Sequence, residues 1–517
     1  MSTNITINRF AAGKNLFLNY VSNKGNLQQM AKITSILLSS YYIIHRLYTG
    51  FFGPLAKLPG SFLTRFLISP SFFLTVFNGK RYELLHKLHD QYGHIVRLGP
   101  NMVSVSDKFM VKQVLVTDDL KKAPFYDGIS MKASQNLFST RDKDFHKQRR
   151  RIVSPAFSIK YLNSLEPFMI SVTESLIKKI GKQIENTKND DFATIDIWNL
   201  YQCLALDVIG ETAFGQTFEM VENNSHFITK AIAKEMEGSA VNSISPLFAK
   251  LFMQDATRIN PELEQFVRDI INHRMESPAK QRKDILQWLI NSQKAIFNED
   301  RLTADAIISE TLLILIAGSE TTSNTLGFVI YQLLRCPDKL QKLYNEIDQL
   351  TLDEGQKLFT HDQLKHLPYL NGVINETLRL DVVAAGGLGR ITTEKTVLGG
   401  QYVLPKDIIV IANFYHTQTS ADYWENPKEF IPERWLNDQH DIKPADSEAF
   451  YPFSSGSRNC IGKNFALQEM RLSLSALLKY YEILPIEQEM KDAEERRAYI
   501  TLGVAKNSFK IIVKRRE

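Results

Sequence analysis

Residues 453–462 read Phe-Ser-Ser-Gly-Ser-Arg-Asn-Cys-Ile-Gly, a Gly- and Ser-rich loop that delivers Cys460 to the start of a long helical pattern, Asn464–Tyr480. A cysteine at a helix N-terminus faces free backbone N–H groups and the positive end of the helix dipole. Both favour the thiolate. Gly456 permits a tight loop, and Gly462 lets a flat group approach the backbone closely. Phe453 is placed to shield the sulfur and Arg458 to pair with an anion. The other two cysteines, Cys203 and Cys336, lie in apolar helical surroundings and read as small buried hydrophobes. No CxxC pair exists, so neither a disulfide framework nor a zinc knuckle is expected.

Outward from that loop, the chain has 517 residues, 44% hydrophobic and 23% charged. This composition excludes a disordered or low-complexity protein. A net charge of +5, without a dense basic run, gives no reason to expect a nucleic-acid partner. Helical periodicity dominates, for example over Tyr82–Tyr92, Phe168–Ile184 and Ala304–Leu334. Strand-like runs cluster at His94–Ser106, around a Gly99-Pro100 turn, and at Thr396–Phe414, where a Gly399-Gly400 hairpin precedes a third strand. The expected class is mainly α with a small antiparallel β region. No Pro/Gly/Ser-rich linker interrupts residues 62–517, which read as one domain. Before it come a polar segment (1–30), a membrane anchor or interfacial helix (31–53) built on the uncharged run Ile33–Ile44, and a proline hinge (54–61).

Further motifs follow in order along the chain. Glu376 and Arg379 share a helix face, and Pro432-Glu433-Arg434 follows. Ala317-Gly318-Ser319-Glu320-Thr321-Thr322 places poor helix formers mid-way along the longest helical pattern. A local rule broken inside a strong helix points to function. His146-x-x-x-Arg150 precedes Pro155-Ala156-Phe157, and Arg390 follows the glycine cluster 386–389. Together with the F-x-x-G-x-R-x-C-x-G loop, these motifs resemble the cytochrome P450 family over Pro54 to the C-terminus.

The resemblance implies a P450 fold and haem, iron protoporphyrin IX, with Cys460 as the axial thiolate ligand of the metal. It implies Arg150, His146, Arg390, Arg458, Phe453 and Gly462 as cofactor-binding residues, with His146 where the family usually has Trp. Glu376, Arg379 and Arg434 become a buried structural triad. Gly318 leaves room for dioxygen, and Glu320 and Thr321 supply protons. Leu380-Asp381-Val382-Val383 replaces the family's prolines, so the path beside the haem is expected to differ.

Too few residues follow Cys460 for a flavin domain, so electrons are expected from a separate NADPH-cytochrome P450 reductase, with cytochrome b5 as a second donor. Arg149, Arg151 and Lys463 are candidate docking cations. The implied activity is that of a haem monooxygenase at the endoplasmic reticulum membrane, facing the cytosol, in the manner of a fungal microsomal enzyme. Its substrate is a small lipophilic or aromatic molecule, with a formyl-tyrosine-type phenol of spore-wall dityrosine formation as one reading. Fatty-acid, sterol or xenobiotic hydroxylation is the alternative, and a haem carrier or a scaffold with a vestigial site are the readings from other classes. The expected pocket walls are 123–140, 214–252, the helix around Ile316, 382–389 and 499–504.

Overall fold

A computed structural model describes residues 24–129, 135–187, 191–223, 227–244, 249–251, 260–276, 284–294, 301–436 and 442–516. The polar segment up to residue 23, and parts of the expected pocket walls 123–140 and 214–252, lie outside the described residues.

The helices that build the site are α1 (Lys24–Phe52), α2 (Arg81–Tyr92), α3 (Lys143–Val153), α4 (Ile159–Glu185), α5 (Ile197–Ala213), α6 (Ala304–Arg335), α7 (Pro368–Leu380), α8 (Phe414–Thr419) and α9 (Lys463–Tyr480). Their starts follow local chemistry. Asp142 accepts the Phe145 N–H at 2.8 Å to cap α3, and Thr303 accepts the Ala306 N–H at 3.2 Å to cap α6. Pro368 stands in the first turn of α7, where its missing N–H is harmless. Helices α4, α5, α6, α7 and α9 bury their apolar faces in one continuous core.

The strands are β1 (Ile95–Gly99), β2 (Met102–Val105), β3 (Lys121–Lys122), β4 (Phe192–Asp196), β5 (Leu388–Ile391), β6 (Thr396–Leu398), β7 (Tyr402–Leu404), β8 (Ile409–Ala412), β9 (Tyr481–Leu484), β10 (Arg496–Ala498), β11 (Leu502–Val504) and β12 (Lys510–Arg515). The Gly399-Gly400 turn forms as expected, both residues at positive φ (57° and 72°). The third strand does not extend that hairpin. β8 leaves it for a five-stranded sheet of order β1-β2-β8-β5-β3, where it runs parallel to β2 (Val103 opposite Val410). The β region is therefore mixed rather than purely antiparallel. β8 is buried on nearly its whole length, which suits an inner strand better than a hairpin edge.

The segment 54–61 is also no free hinge. Leu55 and Leu58 are buried, the Arg97 guanidinium donates to Leu55 O at 2.9 Å, and the Arg97 N–H to Pro59 O at 2.7 Å. α1 is the opposite case. Ile36, Leu37 and Leu38 are each 64% exposed, and exposed Phe62, Leu63, Leu67 and Leu74 continue that apolar surface. Among the described residues, the helix long and apolar enough to cross a bilayer is α6, but 67% of its apolar window is buried, which makes it a core helix.

α2 is tied to α8 by the Asp90 carboxylate, which lies 3.5 Å from His86 Nε2 and 3.2 Å from His416 Nε2. α8 in turn holds the end of α7, because Gln418 Nε2 donates to Leu378 O at 3.0 Å and Arg379 O at 3.1 Å. The layers around the site are thus joined through polar side chains as well as through the core.

Candidate functional site

The Cys460 loop is wound tightly. Ser454 and Gly456 take left-handed backbone (φ 58° and 74°), and a Cβ at Gly456 would collide with the Leu115 carbonyl. The Cys460 N–H donates to Phe453 O at 2.9 Å, which closes the loop over the Phe453 backbone. α9 begins at once and has no side-chain cap. The Gly462 and Lys463 N–H groups lie beside the cysteine sulfur instead and favour its anion. Burial pushes the thiol pKa up, and those N–H groups with the Arg150 guanidinium pull it back. Cys460 keeps exposed surface on one side, while Cys203 is buried and Cys336 half-buried. A Cβ at Gly462 would meet only Cys460 Sγ, at 3.9 Å, so the backbone beside the sulfur is open to a flat group.

Around this loop lies a knot of cations. Arg458 reaches inward and donates to Thr140 O at 2.8 Å and Asp142 O at 3.0 Å. Arg390, on β5, is 1% exposed, and its buried Nε has no partner. Lys122, on β3, is buried with its ammonium on Phe138 O and over the Tyr126 and Phe138 rings, 4.3 Å from each centroid. Burial pulls the Lys122 pKa far down, and Arg390 and Arg458 push it further. Arg458 is held at about 10, by burial first and Arg390 second. Buried His146 is pushed to about 3 by burial and by Arg458, Lys122 and Arg150, so its imidazole is neutral. Among the described residues, neither Lys122, Arg390 nor Arg458 forms a salt bridge. Buried cations without counter-anions are costly. An orphaned guanidinium nitrogen, converging cations and a sulfur beside open backbone fit a flat group carrying carboxylates and a thiolate-seeking metal, which is the chemistry of haem.

Lys122 escaped the sequence reading, since a lysine beside another lysine usually marks a solvated face, and Tyr126 was read only as part of the expected wall 123–140. The Lys122→Met protein should release haem about 10–100-fold faster, the loss of one charged hydrogen bond. Haem transfer to an apoprotein acceptor measures this. An unchanged rate would mean that Lys122 serves only the Phe138 carbonyl.

Arg150 is half-buried and donates to Asn459 O at 2.6 Å and Asn459 Oδ1 at 2.7 Å, so it clamps the residue next to Cys460. Its neighbour Arg149 cannot be a docking residue. It is 7% exposed and lies 3.3 Å from Glu310, itself buried in α6. Glu310 also accepts the Leu137 N–H at 3.0 Å, and burial, outweighing Arg149, raises its carboxyl to about 7. Arg151 and Lys463 remain exposed.

The distal helix is continuous through 317–322. Thr321 donates to Ala317 O at 2.8 Å and Thr325 to Thr321 O at 2.8 Å. Half-buried Glu320 accepts from Asn324 Nδ2 at 3.1 Å and is also bonded to Thr501, while burial raises its pKa. Gly318 needs correcting. Its missing side chain makes no room for dioxygen, because a Cβ there would point at α5 and lie 2.5 Å from Ile209 Cδ1. Helix packing demands the glycine. Gly318→Ala should lower stability by about 1–3 kcal/mol through overpacking. Adding Ile209→Val, which removes that methyl, should restore most of it in denaturant unfolding. No recovery would place the strain elsewhere.

The triad is complete. Glu376 and Arg379 are 0% exposed and Arg434 2%. Glu376 Oε1 accepts Arg379 Nη2 at 2.8 Å, Arg434 Nε at 3.0 Å and the Ile431 N–H at 3.1 Å. Its Oε2 accepts Arg379 Nε at 2.9 Å and Trp435 Nε1 at 2.9 Å, a partner the motif did not reveal. Asp381, where prolines were missing, is buried, paired with Arg496 of β10 and bonded by Gln332 Nε2 at 2.7 Å. The Leu502 N–H donates to Val383 O at 2.8 Å. The chain after α7 is thus fastened to the late hairpin, side chain to side chain and backbone to backbone.

A profile of the family described as Cytochrome P450 matches residues 59–513. The chain is 34% identical to the cytochrome P450 monooxygenase acrD of Aspergillus aculeatus, over 86% of this chain and 89% of that protein. It is 32% identical to the cytochrome P450 monooxygenase LUC2 of a Fusarium species, over 87% and 88%. It is 28% identical to the benzoate 4-monooxygenase bphA of Aspergillus niger, over 78% and 83%.

Proposed function

The chain belongs to the cytochrome P450 family, and on that premise we propose a monooxygenase of the endoplasmic reticulum membrane, facing the cytosol. It takes electrons from a separate NADPH-cytochrome P450 reductase and oxidises a small aromatic or lipophilic molecule. The observation that carries this reading is the Cys460 sulfur beside open backbone at the start of α9, near Arg390, whose buried Nε has no partner, and Lys122, which forms no salt bridge among the described residues. Exposed α1, with the apolar surface that continues it, supports the membrane contact. The Phe125 ring, which lies against Gly389 where two expected walls meet, suits an aromatic substrate such as a formyl-tyrosine-type phenol. The benzoate 4-monooxygenase, a relative named for an aromatic substrate, fits the same class.

When bound, haem supplies thiolate-assisted activation of dioxygen. The protein's own work is to hold it and to deliver protons. Arg390, Arg458 and Lys122 would take its carboxylates, and Arg150 keeps Asn459, and with it Cys460, in place. Burial raises the Glu320 carboxyl, which favours the protonated form it needs as a proton donor, while Asn324 Nδ2 donates to its Oε1 at 3.1 Å and holds it in place. The Thr321 hydroxyl, anchored on Ala317 O, presents its lone pairs to a water that carries this proton onward. Thr321→Ala should bind haem normally but divert most electrons to peroxide. Product formed per NADPH measures it, and tight coupling would refute the proton role.

The test of the whole reading is the absorption spectrum of the reduced protein under carbon monoxide. A strongly red-shifted Soret band is expected. A histidine-like band, or none in a folded haem-supplemented preparation, would overturn it.

A further inference from the structure

Arg81 opens α2 at the junction of two expected pocket walls. The late hairpin touches the start of α2, since the Ala498 N–H donates to Gly79 O at 2.8 Å and the Tyr499 hydroxyl to Phe77 O at 3.3 Å. The other wall is 382–389, and the Arg81 guanidinium reaches it with its Nη2 nearest Gly386. A Cβ at Gly386 would sit 2.7 Å from Arg81 Nη2 and 3.6 Å from both Cζ and Nε. Any side chain at 386 would displace the guanidinium.

Among the described residues, the Arg81 side chain has no hydrogen bond and no ion pair. The nearest acid in sequence, Glu83, is taken by Lys80 at 2.8 Å and by the Tyr82 hydroxyl at 3.0 Å. Among the described residues, the ionisable group that acts on Arg81 is the Tyr126 phenol. Tyr126 is buried, bonded to Arg390, and also feels Arg81 and Arg458. Four cations thus converge on one phenol: Arg81, Lys122, Arg390 and Arg458. Haem brings two carboxylates. Lys122 donates to Phe138 O, Arg390 to Gly389 O, and Arg458 to Thr140 O and Asp142 O, so that, among the described residues, Arg81 is the one of the four whose side chain donates no hydrogen bond. A desolvated guanidinium without a partner favours a planar anion that takes two parallel N–H bonds.

We propose that Arg81 recognises a carboxylate of the substrate, so that the molecule oxidised is an aromatic acid rather than a neutral hydrocarbon. This rests on the haem monooxygenase reading and gives it a substrate class. Arg81 is a specificity residue. It fixes the end of the substrate away from the reacting carbon and takes no part in the chemistry.

The test uses the full-length haem-loaded protein and the spin-state shift of its Soret band. The probes are benzoate and methyl benzoate, N-formyl-L-tyrosine and its methyl ester, and ethylbenzene as a neutral reference. In the unmodified protein, at least one acid should bind about 10–100-fold more tightly than its ester, the range of one charged hydrogen-bonded contact. Arg81→Gln should erase that preference, and Arg81→Lys should keep only part of it because the fork is lost. The reduced carbon monoxide band, recorded on each protein, reports the thiolate site separately. Its absence from the unmodified protein would sink the monooxygenase reading itself. The Arg81 assignment is overturned by equal acid and ester affinities in the unmodified protein, by a response to ethylbenzene alone, or by a preference that survives in Arg81→Gln. Faster haem release from Arg81→Gln with the acid preference intact would likewise overturn it, and would make Arg81 a fourth holder of the haem carboxylates.

Discussion

Cys460→Ser protein should fold, lose the red-shifted Soret band of its reduced carbon monoxide complex, and fall below detectable turnover. The reasoning separates fold from chemistry. Cys460 contributes to the fold through its backbone N–H on Phe453 O, which serine retains. Its side chain keeps exposed surface, so the substitution should change stability by no more than about 0.5 kcal/mol. The chemistry is another matter. The Gly462 and Lys463 N–H groups and Arg150 favour an anion at position 460. A thiol supplies that anion, whereas a serine hydroxyl, far less acidic, does not. Circular dichroism would verify the fold and difference spectroscopy the ligand. A retained thiolate-type band would mean that another group binds the metal.

The second large effect is expected at the triad. Glu376→Gln should destabilise the protein by about 3–5 kcal/mol, because removing one partner of a buried ionic set leaves the other charges uncompensated. Glu376 accepts five hydrogen bonds, from Arg379 (two), Arg434, Trp435 and Ile431. Gln keeps one accepting oxygen and turns an NH2 toward two guanidiniums. Arg379 also donates to Gln418 O and Pro427 O at 2.8 Å and to Glu429 O at 3.1 Å, so its displacement would loosen three further segments. Against a total stability of about 5–15 kcal/mol, most of the chain should fail to accumulate with haem bound. Soluble haem-loaded yield and thermal unfolding are the measurements. A variant within 1 kcal/mol of the unmodified protein would show that the triad's charges are not needed.

Several elements were legible from local pattern. Helices α2, α6 and α9 end within a residue or two of the expected bounds, since each carries apolar periodicity along its length. The β1–β2 ribbon and the Gly399-Gly400 hairpin were legible from their turns. The strand β8 was legible but its pairing was not, because its parallel neighbour in the sheet, β2, lies some three hundred residues away and no local signal names a distant strand. Gly318 was misassigned for a related reason. A glycine states that a Cβ is not tolerated but not on which side, and Ile209 of α5 decided that. Arg149 looked like Arg151 in a basic run, and only the burial of one face of α3 separates them. Asp381 and Arg496 could not be paired from sequence, and their contact is what fastens the late hairpin.

By itself, then, the sequence determined the chemistry that needs only neighbours along the chain. A cysteine ahead of a helix start, a carboxylate and a guanidinium three residues apart, and a threonine that bonds back one turn are settled within a few residues, because helix geometry is the same everywhere. Only the tertiary structure decided which charges lack a partner. Lys122, Arg390, Arg458 and Arg81 come from four separate segments; Arg390 and Arg458 were marked by their motifs, whereas Lys122 and Arg81 each read alone as an ordinary surface cation. Their meaning comes from being brought out of water around Tyr126, where a charge left unpaired becomes expensive and an incoming carboxylate becomes favourable.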